Sequence, residues 1–513
     1  MKKYILYFLY FLYFSTVQVP AEETFSPTKI QAQIQNVFEK CLASTTVVHG
    51  PMVGTGVIIS GDGYVLTAGH ILAKFNTKKK RPLRIVLNDG RKVEAKCLGV
   101  NVEDDIALAK ITTSSSKPWP HVELAGSHPN IENFCFLLGH PAGVVKNRKA
   151  QLRIGRVKHL RDQNGKVEVI VADSNIQPGD SGGPLFDLTG KLIGINSSNS
   201  PDLGYNLFAS VDVYYRDKIR LEKGEKWGRI EDGIAAGRLQ KTPEVESNML
   251  KEFQRQVKMK YPLAVKFIEK HGKGKSDFKP NFTQLHAYFG ANIYDVSKNT
   301  PYCVGKNSPD LVNQFTKITD YKKSLPLAIV NAGNVVALCC PVSKRHVITK
   351  LSLVEKNNNL KCLYQKKGYS ITLVDSDKKW DLALLDLGSD ANLIPLNWKD
   401  QSIVPGTLIF CPDHESQIIS WGAISGLEMP AGKGGDVGRW KDEKMLLSKN
   451  RGPYPLAVPF DANIVSYQCG GPVLNLKGEL IGFSLARKNR SLSLMISSKT
   501  LKTLLDKFLQ GQN

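Results

Sequence analysis

Three short segments of the chain carry side chains able to serve together as nucleophile, base and acid. In chain order they are Thr67-Ala68-Gly69-His70, Asp104-Asp105-Ile106-Ala107-Leu108 and Gly179-Asp180-Ser181-Gly182-Gly183-Pro184. A serine hydroxyl is a poor nucleophile until a neighbouring imidazole takes its proton. The imidazole in turn needs a carboxylate that holds one tautomer and stabilises the imidazolium. His70, one of Asp104 and Asp105, and Ser181 supply those groups, and the chemistry they would support is acyl transfer. His70 would accept the Ser181 proton and later return it to the leaving group. The glycines beside Ser181 would make a tight turn between strands.

These segments are far apart in sequence, so a tertiary fold must join them. From Thr45 onward the texture is short β-branched runs broken by turns: Thr45-Thr46-Val47-Val48, Gly56-Val57-Ile58-Ile59, Tyr64-Val65-Leu66-Thr67 and Leu83-Arg84-Ile85-Val86-Leu87. Ser60-Gly61-Asp62-Gly63 and Asn88-Asp89-Gly90 punctuate them. Many short strands at such spacing predict an antiparallel barrel or sandwich. Before them, Ile30, Ile34, Phe38 and Leu42 recur every fourth residue and predict a short amphipathic helix. Strand texture ends near Asp212. Residues 216 to 324 are charged and helical in pattern, as in Glu244 to His271, and strands resume from Leu325 to about Ser497. Leu501, Leu504, Leu505 and Phe508 then predict a closing amphipathic helix.

The three motifs, in this order, resemble those of trypsin-like serine proteases. The Gly-Thr-Gly-Val-Ile-Ile segment at 54–59 and the compact size are most similar to the HtrA (DegP) branch. The resemblance covers about residues 45 to 215. It implies a double β-barrel, a serine endopeptidase activity on protein or peptide substrates, and envelope protein quality control, although no recognisable PDZ module follows. The family pattern puts the aspartate directly before the apolar pair, which selects Asp105 over Asp104. The resemblance assigns oxyanion N–H donors to Gly179 and Ser181; one such donor contributes about 3 kcal/mol to the transition state. It also assigns a pocket base to Asn175, six residues before Ser181, with Ser197 and Ser198 along one wall. With no acid at that base, a small or medium uncharged P1 side chain is expected. Asp180 matches the digestive branch, where this aspartate pairs with a newly released N-terminus. Here Val47-Val48-His49-Gly50 reads as a first barrel strand, so another partner is expected.

The second strand block repeats the first. Residues 182–195, GGPLFDLTGKLIGI, match residues 470–483, GGPVLNLKGELIGF, at 8 of 14 positions, and Asp105-Ile106-Ala107-Leu108 matches Asp381-Leu382-Ala383-Leu384. By that alignment Ser352 stands in place of the histidine, Asp381 is retained, Cys469 replaces the serine, and Tyr467 replaces the turn glycine. Losing the base alone costs about six orders of magnitude in turnover, so this site is expected to be degenerate. A cysteine protease is the alternative, but His346 and His414 lie off the matching position and a thiolate still needs an imidazole.

The 513 residues exceed what one hydrophobic core supports, and 42% hydrophobic with 23% charged residues describes a globular chain. Lys2 and Lys3, then the apolar run from Tyr4 to Val19, then Val19-Pro20-Ala21 read as a signal peptide cleaved after Ala21. The run falls short of the ~20 residues of a spanning helix. Export to the periplasm or the extracellular space is therefore expected. The partition is signal 1–21, helical segment 22–44, protease domain 45–220, helical charged linker 221–324 and a degenerate trypsin-like domain 325–510. A net charge of +22, with runs at Lys78-Lys79-Lys80-Arg81 and Lys251 to Lys275, reads first as solvated faces, with attraction to an anionic envelope surface as the alternative. No nucleic-acid module is recognisable. Nine cysteines without zinc-like spacing read mostly as buried small hydrophobes, with Cys339 and Cys340 facing opposite ways on a strand. No metal or cofactor is expected. The competing reading is a protease-derived binding scaffold with a basic surface.

Overall fold

The computed structural model describes residues 25–75, 82–141, 143, 145, 148–163, 166–200, 205–236, 306, 309–318, 325–396, 398, 401–414, 418–432, 447–448, 450–464, 466–489 and 491–510. The expected signal peptide, the expected helix Glu244 to His271 and Cys303 lie outside them.

The first described element is the helix Pro27–Ser44. Ser26 caps it by accepting from the Lys29 amide, and Pro27 sits where no N–H is needed. Its buried face is Ile30, Ile34, Phe38, Cys41 and Leu42, the four-residue spacing expected of it.

Strands then form two closed barrels. The first comprises β1 (Thr45–His49), β2 (Val53–Ile58), β3 (Tyr64–Thr67), β4 (Leu83–Val86), β5 (Lys92–Asn101) and β6 (Ile106–Ile111). The pairing order β5-β4-β1-β2-β3-β6 is closed by β5 with β6. In β5 the charges of Lys92, Glu94 and Lys96 face solvent while Val93, Ala95 and Cys97 fill the barrel, the period-two alternation of a strand with one wet face. The second comprises β7 (Phe134–Gly139), β8 (Gln151–Gln163), β9 (Lys166–Ala172), β10 (Pro184–Asp187), β11 (Leu192–Ser200) and β12 (Tyr205–Ser210), closed in the order β10-β11-β12-β9-β8-β7. Helix Val211–Glu222 follows, and the short β13 (Lys226–Trp227) adds parallel to β5.

The later half repeats this wiring with one change per sheet. Its first sheet contains β14 (Leu327–Asn331), β15 (Asn334–Pro341), β16 (His346–Lys350), β17 (Lys361–Tyr364), β18 (Lys367–Ser370), β19 (Thr372–Asp377) and β20 (Leu382–Asp386), ordered β18-β17-β14-β15-β16-β20-β19. This is the order of the first barrel with β5 split into β18 and β19 at Ile371, so the ends of the sheet meet through the chain rather than through a ladder. The last sheet contains β21 (Leu408–Pro412), β22 (Ile418–Ala423), β23 (Met429–Ala431), β24 (Tyr454–Phe460), β25 (Pro472–Leu474), β26 (Leu480–Arg487) and β27 (Ser493–Ser497), ordered β22-β21-β25-β26-β27-β24-β23. Here the counterpart of β8 is split into β22 and β23. The mainly β tandem expected from the sequence is present, with these two interruptions. Helix Ser498–Gln510 closes the chain over Leu501, Leu504, Leu505 and Phe508.

The halves share one core. A single buried cluster contains Phe38, Phe136, Leu152 and Ile154 together with Phe315, Phe410, Trp421 and Leu485. The N-terminal helix straps both: Gln31 Oε1 accepts from the Leu408 amide at 2.9 Å, and Gln35 Nε2 donates to Thr407 Oγ1 at 3.1 Å. Lys306 is inserted at the join, its Nζ 2.5 Å from Asp461 Oδ2 and its carbonyl accepting from Trp421 Nε1 at 2.8 Å. The eight described cysteines are all buried, and none of them is in a disulfide. Cys339 and Cys340 face different cores.

Candidate active site

His70 lies on the one-turn helix Gly69–Leu72 that leaves β3. Asp105 sits at the turn into β6 with φ +54° and is fully buried. That left-handed backbone is sparsely populated for a residue with a Cβ and marks a locally strained position. It aims the carboxylate at His70 twice. The His70 backbone N–H donates to Oδ1 at 2.7 Å, and the ring Nδ1 lies 3.0 Å from Oδ1 and 2.9 Å from Oδ2. Ser197 Oγ donates to Oδ2 at 2.5 Å. Burial of the ring pulls the His70 pKa down, but the charge and hydrogen bond of Asp105 outweigh it, and the net displacement is upward. Asp104 is turned away, paired with Arg216 at 2.5 Å and accepting from Asn101 Nδ2 at 2.9 Å.

Ser181 occupies the turn that precedes β10. Its carbonyl accepts from the Thr55 amide at 2.8 Å, and the Gly182 amide donates to Asn196 O at 2.7 Å. Gly182 has φ +83°, and a Cβ there would lie 2.1 Å from Thr55 O, 2.2 Å from Thr67 Oγ1 and 2.9 Å from the Ala68 amide nitrogen. Only glycine lets the serine turn press this closely against the strand end that carries His70. The fold thus brings the serine turn against the strand end that carries His70, and His70 against Asp105. Among the described residues no hydrogen bond joins the Ser181 hydroxyl to the His70 ring, a contact that is commonly loose before substrate binds.

Gly179 has φ +101°, and a Cβ would meet His140 O at 2.4 Å. Its carbonyl accepts from Thr55 Oγ1 at 2.8 Å. Among the described residues the amides of Gly179 and Ser181 donate to no acceptor, the condition that stabilisation of a developing oxyanion requires. His140, which the sequence reading missed, stands behind this turn with Nδ1 3.3 Å from Thr55 Oγ1. Burial first, then Arg148 and Arg153, push its pKa down to about 3, so the ring is neutral. No local motif marks it; only the approach of β2 to the end of β7 does.

Asp180 has a partner of its own. Arg153 Nη2 lies 2.6 Å from Asp180 Oδ1, both side chains are wholly buried, and Oδ2 accepts from the Gln177 amide at 2.8 Å. Val47 to His49 are strand β1, as the sequence reading expected. The expected pocket residues diverge. Asn175 Nδ2 donates to Asn463 Oδ1 at 2.8 Å, Ser197 turns its hydroxyl to Asp105, and Ser198 Oγ donates to the Ile234 carbonyl.

The corresponding place in the second half keeps the frame and changes the groups. Asp381 has φ +57°, and the Ser352 amide donates to its Oδ1 at 2.7 Å, as His70 does to Asp105. The Ser352 hydroxyl donates to Oδ2 at 2.9 Å, Asn450 Nδ2 donates to the same oxygen at 2.7 Å, and buried Lys350 Nζ lies 2.6 Å away. Cys469 is fully buried with Sγ 3.3 Å from Ser448 Oγ, and burial pushes its thiol pKa up, away from the thiolate. His346 bonds Ser343 Oγ at 3.0 Å and His414 pairs with Asp413.

The trypsin-like peptidase domain family matches the chain twice, over residues 54–195 and 332–483. Among curated relatives, a probable periplasmic serine endoprotease DegP-like of Ectopseudomonas mendocina is 35% identical over 146 residues, 28% of this chain and 29% of that protein. The protein of the same description from Hahella chejuensis is 26% identical over 288 residues, 54% of this chain and 58% of that protein. The chain thus spans less than two thirds of the length of these relatives. A solved serine endoprotease from Yersinia pestis is 22% identical, with a TM-score of 0.32, over 37% of this chain and 66% of that one. The two family matches cover more than half of the sequence and fall one on each pair of sheets: the chain belongs to the trypsin-like peptidase family.

Proposed function

We propose that the chain is an exported serine endopeptidase that hydrolyses peptide bonds of protein substrates through Ser181, His70 and Asp105. The observation that carries this reading is the double grip of a fully buried Asp105 on the backbone and ring of His70. That grip commits Nδ1 to the carboxylate and leaves Nε2 free to take the Ser181 proton as Oγ attacks the carbonyl carbon. The Gly179 and Ser181 amides would receive the oxyanion. Collapse of the tetrahedral species expels the amine, protonated by His70, and leaves an acyl-enzyme. Water, deprotonated by the same imidazole, then releases the acid and restores the serine.

The second domain serves this site without chemistry of its own. Its aspartate is already saturated by Lys350, Ser352 and Asn450, and Cys469 is sealed from solvent as a thiol. The periplasmic description of the relatives and the N-terminal signal pattern support work outside the cytoplasm, where protein quality control is the role in view.

The open Ser181–His70 contact favours one second reading, a protease-derived scaffold that binds without cutting. A fluorophosphonate probe separates the two. Labelling of the wild-type chain, lost in Ser181→Ala and His70→Ala and kept in Cys469→Ala, is the expected result. A folded, unlabelled wild-type chain refutes the enzyme. Sequencing of cleavage sites in a denatured protein mixture then reads the P1 preference.

A further inference from the structure

The second domain touches the first at the strand and turn that stand behind the nucleophile. On β8, the Leu152 amide donates to Ser425 O at 2.8 Å and the Ile154 amide donates to Asp461 Oδ2 at 2.7 Å. Both acceptors belong to the second domain, and they flank Arg153 on either side. Arg153 is the residue whose guanidinium pairs with Asp180, next in sequence to Ser181 and Gly179. Arg153 Nη1 also donates to Gln151 O at 2.8 Å, and Nε donates to Asn175 O at 3.4 Å. The side chain of that same Asn175 is held by Asn463.

The contact is between corresponding positions. Asn175 precedes Ser181 by six residues, and Asn463 precedes Cys469 by six. Two residues before each stands a buried aspartate, Asp173 and Asp461, and each accepts a backbone amide on Oδ1, from Arg156 at 2.6 Å and Ala423 at 2.6 Å. The two domains therefore meet through the same segment of each, back to back.

We propose that Asn463 is a positioning residue for the Gly179–Ser181 turn, supplied by the second domain and acting through Asn175, Arg153 and Asp180. Each link is a hydrogen bond or ion pair between groups that are buried or half-buried. Loss of the Asn463 acceptor frees the Asn175 side chain, loosens the carbonyl that orients Arg153, and lets the Asp180 peptide drift. The two amides on either side of Asp180 then lose the alignment that a transition-state oxyanion demands. The duplicated domain is in this sense a fixed prop for the oxyanion turn. The inference rests on the proposed peptidase reading.

The test compares full-length Asn463→Ala with wild type on one peptide substrate, with the fluorophosphonate labelling rate and the melting midpoint measured alongside. Loss of an interaction expressed only in the transition state lowers kcat and leaves KM in place. The expected result is a fall of about tenfold in kcat and in labelling rate, the equivalent of one lost buried hydrogen bond, at unchanged KM. Gln35→Ala breaks another cross-domain hydrogen bond, to Thr407, and is expected to keep wild-type kinetics. If Asn463→Ala does not fold, Asn463→Ser carries the test, since its shorter hydroxyl does not span to Asn175, and the same fall in kcat is expected. A rise in KM at constant kcat, wild-type kinetics in the Asn463 variant, or an equal loss in Gln35→Ala overturns the inference. A wild-type chain that neither cleaves nor labels overturns the peptidase reading itself, and is thereby distinguished from a failure of this one.

Discussion

Replacing Arg153 by methionine should be among the most damaging single changes in the first domain. Arg153 and Asp180 are both fully buried and 2.6 Å apart. Burial raises the Asp180 pKa in spite of Arg153, so the pair itself is not a source of net stability. Removing one partner is another matter, because it strands the other charge in the interior at a cost of about 3–5 kcal/mol. For a domain of this size each kcal/mol moves the melting midpoint by about 2–4 °C, so a fall of about 6–20 °C is expected. Arg153→Met with Asp180→Asn removes both charges and should recover most of the midpoint. It should not recover activity, since the pair that fixes the peptide between the Gly179 and Ser181 amides, the proposed oxyanion donors, is gone. Scanning calorimetry and the fluorophosphonate rate read the two effects separately. An Arg153→Met protein that melts with wild type, or a double variant no more stable than the single one, refutes this reasoning.

The pH profile follows from His70. A base acts only when neutral, and the net upward displacement of its pKa puts the acid limb of kcat/KM above the ordinary histidine value of 6.5. Asp105→Asn removes the raising influence and leaves burial, so the limb should move below that value while the rate falls about 10⁴-fold; a limb that stays in place sinks the assignment. Ser197→Ala takes a charge-assisted hydrogen bond from the Asp105 carboxylate. It should lower kcat about tenfold or more with little change in KM, as steady-state kinetics on one peptide will show. Lys350→Met strands Asp381 in the second domain. It should depress the melting midpoint by an amount like that of Arg153→Met and leave fluorophosphonate labelling at Ser181 untouched; lost labelling would contradict it.

The strand runs from Thr45, the amphipathic helix over Ile30 to Leu42, the closing helix at Leu501 to Phe508 and the internal repeat were all legible in the chain. Each is a local periodicity or a local match, and local signals survive without the fold. The split of the two long strands in the second half was not legible, because it depends on which partners each piece finds. Asp105 could be told from Asp104 only by resemblance. In the structure the choice is made by a left-handed backbone at 105, which turns one carboxylate to His70 while its neighbour turns to Arg216.

Residue types alone determined which chemistry was open to this chain, since a hydroxyl, an imidazole and a carboxylate have fixed reactivities wherever they stand. Aligned on the internal repeat, the second copy carries Ser352 where the first has His70. Tertiary structure decided the rest. Arg153 became the partner of Asp180, Ser197 turned to Asp105, neutral His140 came behind the Gly179–Ser181 turn, and the Asn175 side chain reached Asn463. None of these pairs is close in sequence. A hydrogen bond acts over about 3 Å, and only the closure of the barrels and, for Asn175 and Asn463, the packing of one domain on the other bring such distant groups within that reach.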